Sequence, residues 1–383
     1  MQKNKRQILT AFLFIAVCIA AYFLIVREQN NKSASAQIFA MDTYMEFTAY
    51  GKNSEKAVDA AIEEVKYLDG LLSAQDENSE VYALNESGSL FVEENLKILL
   101  ERGKELFQKT GGLYDDTIYP LMKLWGFPTG NYHVPSEAEI QKLLPLIDGS
   151  RIQISDAQKS LESDNITGSD WNGDIQPTVS EETKGTGSNG TQITLGEGQQ
   201  VDLGGLAKGY TGQKLKEIFQ EYEVPSALVS LGGNVQAVGK KPDGSLWKIG
   251  IRNPEGGEQD YIGVLSVEDE AAVTSGGYER YFTENNEKYI HILDPRTGYP
   301  ASGDLLSVTI VSEDGTLADG LSTALYIMGY EKACSFWREH QEEFGMILIT
   351  SDSELHVSED LKEQFQSEKS WQVIPIEIKG KNG

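Results

Sequence analysis

The 383-residue chain is 39% hydrophobic and carries 59 acidic against 33 basic residues, a formal net charge of −26. That apolar content suffices for a packed core and excludes a wholly disordered chain. The acidity argues against a nucleic-acid binder, because phosphate recognition needs a basic face. An anionic ligand must be held by local devices: backbone N–H groups, a helix N-terminus or a bound cation.

The chain starts with a basic stretch, residues 1–7, carrying Lys3, Lys5 and Arg6. Residues 8–26, "ILTAFLFIAVCIAAYFLIV", are nineteen uncharged residues, enough to span a bilayer as a helix. A secretory signal has a shorter apolar region that ends in a small-residue cleavage site, and this run continues to Arg27 without one. Cys18 raises the alternative of a lipoprotein box, but Val17 suits one poorly and the apolar run goes on past the cysteine. Basic residues ahead of the span orient the N-terminus to the cytoplasm and the rest outside the membrane. The other cysteine is Cys334, so the outer domain has no internal disulfide and Cys334 reads as a buried core thiol.

Residues 27–36 read as a polar tether, and 37–51, "QIFAMDTYMEFTAYG", alternate like a strand. Residues 54–73 have helical periodicity behind an N-cap Ser54. A second helix over 93–112 closes on Gly111 and Gly112, and a third over 136–147 ends or kinks near Pro145. Residues 157–191 are rich in Ser, Thr, Gly, Asp and Asn and read as a flexible insertion. Short strands follow: "QQVDL", "SALVSLGG", "NVQAVGK", "WKIGIR" and "YIGVLSV", with a helix from Gly205 to Tyr222 between the first two. Helices over 317–329 and in "EKACSFWREHQEE" precede a strand "GMILITS". The expected architecture is a single α+β domain over 37–376, a mixed and largely antiparallel sheet with packed helices, followed by a tail at 377–383.

Four stretches have chemical potential. In "VDLGGLAKGYTG", a strand ending at Asp202 meets Gly204, Gly205 and a helix start, with Lys208 adding positive charge. This has the form of a phosphate cradle. Neither the P-loop nor the dinucleotide fingerprint matches, and an ordinary strand-to-helix turn has the same pattern. In "ADGLSTA", Asp319 and Thr323 share one helix face and could offer two oxygens to a hard cation. Asp319 could equally complement the helix dipole. In "YIHILDPRTGYP", His291 at a strand end could act as a general base, with Asp294 and Arg296 orienting it or binding a ligand. A backbone-satisfied histidine beside an Asp-Pro turn fits as well. In "TGGLYDDTIYPLMKLWGF", Tyr114, Asp115, Trp125 and Phe127 could wall an aromatic ligand or pack in the core.

Taken together, these stretches resemble the ApbE family, flavin transferases that move FMN from FAD onto proteins. The resemblance runs in order through "AMDTYMEFTAYG", "NSEVYALN", "TGGLYDDTIYPLMKLWGF", "VDLGGLAKGY", "ALVSLGGNVQAVGKKPDGSLWKIGIRNP", "VTSGGYERYF", "YIHILDPRTGYP" and "LADGLSTALYIMG". It implies an ApbE-type, T-fold-like domain, FAD as substrate, Mg²⁺ as cofactor, and exported proteins with a Ser or Thr acceptor as partners. It implies that Met41 and Leu293 line the flavin and that Leu113, Tyr114 and Asp115 lie on the adenine side. Asp202, Gly205, Ala207 and Lys208 match the segment that holds FAD, with Gly205 and Ala207 supplying backbone oxygen to the metal. Asp319 and Thr323 match its side-chain ligands, and His291 the catalytic histidine. Two positions depart from the family: Asp42 replaces the glycine of "MGT", and Gln75 stands where many members carry an aromatic residue. A FAD pyrophosphatase and a non-catalytic, membrane-tethered flavin-binding protein are the alternative readings.

Overall fold

The computed structural model describes residues 32–156, 190–257 and 259–376. The basic stretch 1–7, the span 8–26 with Cys18, the insertion up to residue 189 and the tail 377–383 lie outside the described residues. Among the described residues no helix is long and apolar enough to cross a membrane.

The strands in chain order are β1 (Ser33–Ala40), β2 (Thr43–Tyr50), β3 (Ser89–Val92), β4 (Gln153–Asp156), β5 (Thr191–Thr194), β6 (Ser226–Leu231), β7 (Asn234–Gly239), β8 (Trp247–Arg252), β9 (Tyr261–Val267), β10 (Ala271–Gly276), β11 (Tyr281–Glu284), β12 (Glu287–Ile290), β13 (Leu305–Ser312), β14 (Gly345–Thr350), β15 (Leu355–Ser358), β16 (Phe365–Gln366) and β17 (Trp371–Ile374). The α-helices are α1 (Ser54–Leu72), α2 (Glu80–Ser87), α3 (Glu94–Lys109), α4 (Tyr119–Trp125), α5 (Glu137–Leu143), α6 (Ala207–Glu221), α7 (Gly315–Met328) and α8 (Tyr330–His340).

Nine strands form one sheet in the order β1-β2-β6-β7-β10-β13-β14-β15-β17. Every neighbouring pair is antiparallel except β15 and β17. Alternation along the strands supplies two apolar faces. On one, Phe47 and Val229 pack with Ala57, Val65 and Phe219 of α1 and α6, while Val308 and Leu348 pack with Leu321, Leu325 and Trp337 of α7 and α8. On the other, Val311, Ile347 and Ile349 meet Trp247, Ile251 and Leu265 of the small sheet β16-β9-β8. Each such buried Val, Leu, Ile or Phe side chain stabilises the fold by about 1.5–3 kcal/mol.

The expected helices and most of the strands are present, with four differences. The stretch 37–51 is a hairpin: β1 and β2 pair from Ser33–Tyr50 to Ala40–Thr43 across a two-residue turn. Met41 and Asp42 both have positive φ (47° and 60°), which a type I′ turn requires. Ser33–Ala36, expected in the tether, therefore belong to β1. "QQVDL" is not a strand; Val201 and Asp202 are held instead by Asn85 Oδ1 and the Asp116 carbonyl. Ser54 does not cap its helix; it is the first, buried residue of α1, behind Asn53. The 136–147 helix ends at Leu143, and a short 3₁₀ turn carries Pro145.

β4 ends at Asp156, β5 starts at Thr191, and these two residues are paired. The intervening chain thus leaves and re-enters at neighbouring points. Replacing 157–190 by an Asn-Gly turn is expected to raise the thermal midpoint slightly, since each halving of a loop lowers its closure cost by about 0.6 kcal/mol. A fall in the midpoint, followed by circular dichroism, would mean that the replaced residues contribute stabilising contacts.

Candidate functional site

Residues of β6, β7, β10 and β13 in the large sheet, the α6–α7 crossing, the tip of the β1–β2 hairpin and the β8 strand line a cavity of about 1150 Å³. Met41, Leu113, Tyr114, Asp115, Asp202, Gly205, Ala207, Lys208, His291, Leu293, Asp319 and Thr323 line it, together with Asp42 and Gln75.

α6 and α7 cross at glycines. A Cβ on Gly209 would stand 2.2 Å from the Gly315 carbonyl oxygen and 2.6 Å from Asp319 Cβ, so only glycine permits this approach. The approach lets Gly209 N–H donate to Asp319 Oδ2 at 2.7 Å. Asp319 is buried in a helix that is apolar nearly all round. Burial raises its pKa, and the Lys208 charge and the Gly209 N–H oppose that shift. Thr323 lies one turn on, its hydroxyl 3.3 Å from Ser275 Oγ. Among the described residues there is no group of three or more His, Cys, Asp or Glu side chains placed to hold a metal. Asp319 is the carboxylate that the α6–α7 crossing offers to a cation, beside the neutral Thr323 hydroxyl.

The chain entering α6 is an Asx turn: Gly204 N–H donates to Asp202 Oδ1 at 2.8 Å. Lys208 Nζ reaches back to the Gly204 carbonyl at 3.5 Å. Across from it, Tyr114 crowds Gly205, where a Cβ would lie 3.0 Å from the ring. Tyr114 donates its hydroxyl to Asp116 Oδ1 at 2.6 Å. Asp115 lines the cavity, but its carboxylate is engaged elsewhere. It accepts from Thr117 N–H at 2.8 Å, from the Thr117 hydroxyl at 2.6 Å and from Gly149 N–H at 3.1 Å.

His291 follows β12. Its backbone N–H donates to the Arg280 carbonyl at 3.0 Å, and its Nδ1 lies 3.1 Å from the same oxygen. A carbonyl only accepts, so Nδ1 carries the hydrogen and Nε2 is the acceptor. Burial lowers the imidazole pKa to about 4; the Arg280 and Lys208 charges add to this, and the contact with the Arg280 carbonyl opposes it. The ring is neutral at pH 7.

Asp294 and Arg296 do not reach the cavity. Arg296 clasps Asp294 through Nε at 2.9 Å and Nη2 at 2.6 Å, closing the turn on itself. Trp125 Nε1 pins that turn by donating to the Gly298 carbonyl at 2.8 Å. Trp125 and Phe127 are core residues, packed with Leu121, Phe282 and Leu293. Leu293 joins this cluster to the cavity wall.

Sequence reasoning missed Asp69, Lys248, Arg252 and Arg280, all of which line the cavity. Asp69 Oδ1 accepts from Met41 N–H at 3.0 Å and so ties down the hairpin tip. Lys248 and Arg252 were legible: alternation in "WKIGIR" sets them opposite the buried Trp247, Ile249 and Ile251. Arg280 sits in a turn after β10, where no periodicity marks it.

The sequence profile of the ApbE family matches residues 41–348. The FAD:protein FMN transferase of Treponema pallidum (strain Nichols) is 34% identical over 305 residues, covering 76% of this chain and 77% of that protein. The Escherichia coli K12 protein of the same name is 24% identical over 375 residues, covering 94% and 99%. The crystal structure of the ApbE protein of Thermotoga maritima superposes with a TM-score of 0.73 at 28% identity, covering 87% of this chain and 99% of that one. The flavin transferase ApbE of Vibrio cholerae, 21% identical and covering 87% and 99%, shares the fold with a TM-score of 0.69. With a matching profile over most of its length, a shared fold and most of the quoted motifs contributing to one cavity, this chain belongs to the ApbE family.

Proposed function

We propose that the chain transfers FMN from FAD to a Ser or Thr hydroxyl of an exported protein and releases AMP. One observation carries the reading: His291, Lys208, Asp319 and Thr323, from three distant parts of the sequence, line a single cavity roomy enough for a dinucleotide. The acceptor oxygen attacks the FMN-side phosphorus. The bond from that phosphorus to the oxygen bridging to AMP breaks, and the hydroxyl proton passes to His291 Nε2. Such a step needs alignment and charge neutralisation more than covalent help.

The Asp319 carboxylate, the Thr323 hydroxyl and the carbonyls of Gly205 and Ala207, all on residues lining the cavity, would offer an all-oxygen donor set with one negative charge. That set fits Mg²⁺, which keeps several waters and shares phosphate oxygens. When bound, Mg²⁺ supplies charge neutralisation at the pyrophosphate. Lys208 adds a second positive charge, so a chain of net charge −26 can accept an anionic substrate. The apolar run 8–26 supports a single-pass anchor with the domain outside the cytoplasm, where exported acceptors are found.

The test is to incubate the purified chain with FAD, Mg²⁺ and a candidate exported acceptor. Denaturing electrophoresis should then show a fluorescent acceptor band. FMN and AMP without labelled protein would favour the pyrophosphatase reading. Bound FAD that stays intact would favour the non-catalytic one.

A further inference from the structure

We propose that Arg280 is a further diphosphate-binding cation of the cavity, beside Lys208, and that Asp42 is its built-in competitor. The ligand class rests on the dinucleotide reading above. Of the four cations lining the cavity, Arg252 stacks on the Tyr278 ring at 4.8 Å, Lys208 turns back toward the Gly204 carbonyl, and Lys248 is an exposed residue of β8. Arg280 instead reaches across the mouth to the hairpin tip, where Nη2 lies 3.8 Å from Asp42 Oδ2. Both side chains remain well exposed, at 43% and 68%.

The main chain of Arg280 is the other half of the case. Its carbonyl holds both the backbone N–H and Nδ1 of His291. The guanidinium is thereby rooted at the residue that orients the proposed base, and its charge lies on the reacting side of the cavity. A planar guanidinium pairs with phosphate oxygens through two parallel N–H groups, a geometry that an ammonium lacks.

Asp42 occupies a left-handed position, φ 60°, at which glycine is the less strained residue. Here the position carries a carboxylate facing a cavity cation. An exposed pair this long is weak, so an incoming diphosphate displaces Asp42 readily. The competition lowers affinity for the ligand and favours release of phosphorylated product.

The experiment is an equilibrium titration of the full-length protein with inorganic pyrophosphate, FAD and riboflavin at fixed ionic strength. Asp42→Asn removes the charge and keeps a residue that tolerates the left-handed turn. It is expected to tighten pyrophosphate and FAD by about two- to fivefold, the range of an exposed ion pair. Arg280→Ala is expected to weaken both by about tenfold or more, as for loss of a charge-assisted contact. In the Asp42→Asn/Arg280→Ala protein the gain should vanish, and riboflavin binding should be unchanged throughout. A gain that persists without Arg280, or pyrophosphate affinity untouched by Arg280→Ala, overturns the proposal. If these shifts are seen but no flavin reaches an acceptor, the transfer reading fails and the Arg280 assignment stands.

Discussion

Asp319→Asn is expected to abolish FAD-dependent turnover at millimolar Mg²⁺ while leaving the protein folded. Asparagine keeps an oxygen for the Gly209 N–H, the 2.7 Å contact at the α6–α7 crossing, but carries no charge for a cation. Loss of the one carboxylate in the donor set should cost several orders of magnitude in rate, with partial recovery as Mg²⁺ is raised. Stability supplies an independent readout. Burial raises the Asp319 pKa, so the fold favours the neutral acid. The unfolded chain gives up its proton near the ordinary carboxylate value, whereas the folded chain does so at higher pH. Without metal, the ionised form therefore destabilises the protein as pH rises through the folded value, and the contribution is favourable only below it. Asp319→Asn should accordingly match or exceed the native protein in thermal midpoint at pH 7 without Mg²⁺. Saturating Mg²⁺ at a hundred times its Kd should stabilise the native protein by about 2.7 kcal/mol and the variant not at all. Equal Mg²⁺ stabilisation of both proteins would remove Asp319 from the metal site.

His291→Ala should separate binding from chemistry. The metal donors are untouched, so FAD affinity should hold while the rate falls by about 10²–10⁴-fold, the usual contribution of a general base. The pH profile distinguishes this role from a structural one. In the ligand-free cavity the imidazole pKa is lowered to about 4, chiefly by burial. Since kcat/KM reports the free enzyme, its acid limb attributable to His291 should fall near pH 4 and be absent in the variant. The limb in kcat should lie higher, because a bound diphosphate places negative charge beside the ring and favours the imidazolium. Normal turnover by His291→Ala would make the histidine a structural residue of the strand end. Unchanged limbs would show that another group takes the proton.

What the sequence determined by itself is local. Helical periodicity defined α1, because a 3.6-residue period leaves its mark without help from the rest of the chain. The glycines at 111 and 112 closed α3 with φ of 63° and 80°, as their lack of a Cβ allows. The short motifs carry residues that line the cavity, because such side chains sit on contiguous turns and strand ends, and those read as text.

Tertiary structure alone decided the rest. The run 37–51 alternates through its turn, and with Asp42 in place of glycine no residue announced the reversal that makes it a hairpin. The expected strand at 199–203 yielded to long-range partners, Asn85 and Asp116, which satisfy its backbone in another way. Asp115 and Asp116 are adjacent in sequence, yet one ties together two 3₁₀ turns and the other pairs with a buried tyrosine; only the packing around them separates these roles. Arg280 became visible once β10 and β12 carried it and His291 to one wall of the cavity. Sheet order, helix crossing and cavity shape depend on contacts between residues far apart in the chain, and a local pattern holds no record of which distant surface will cover it.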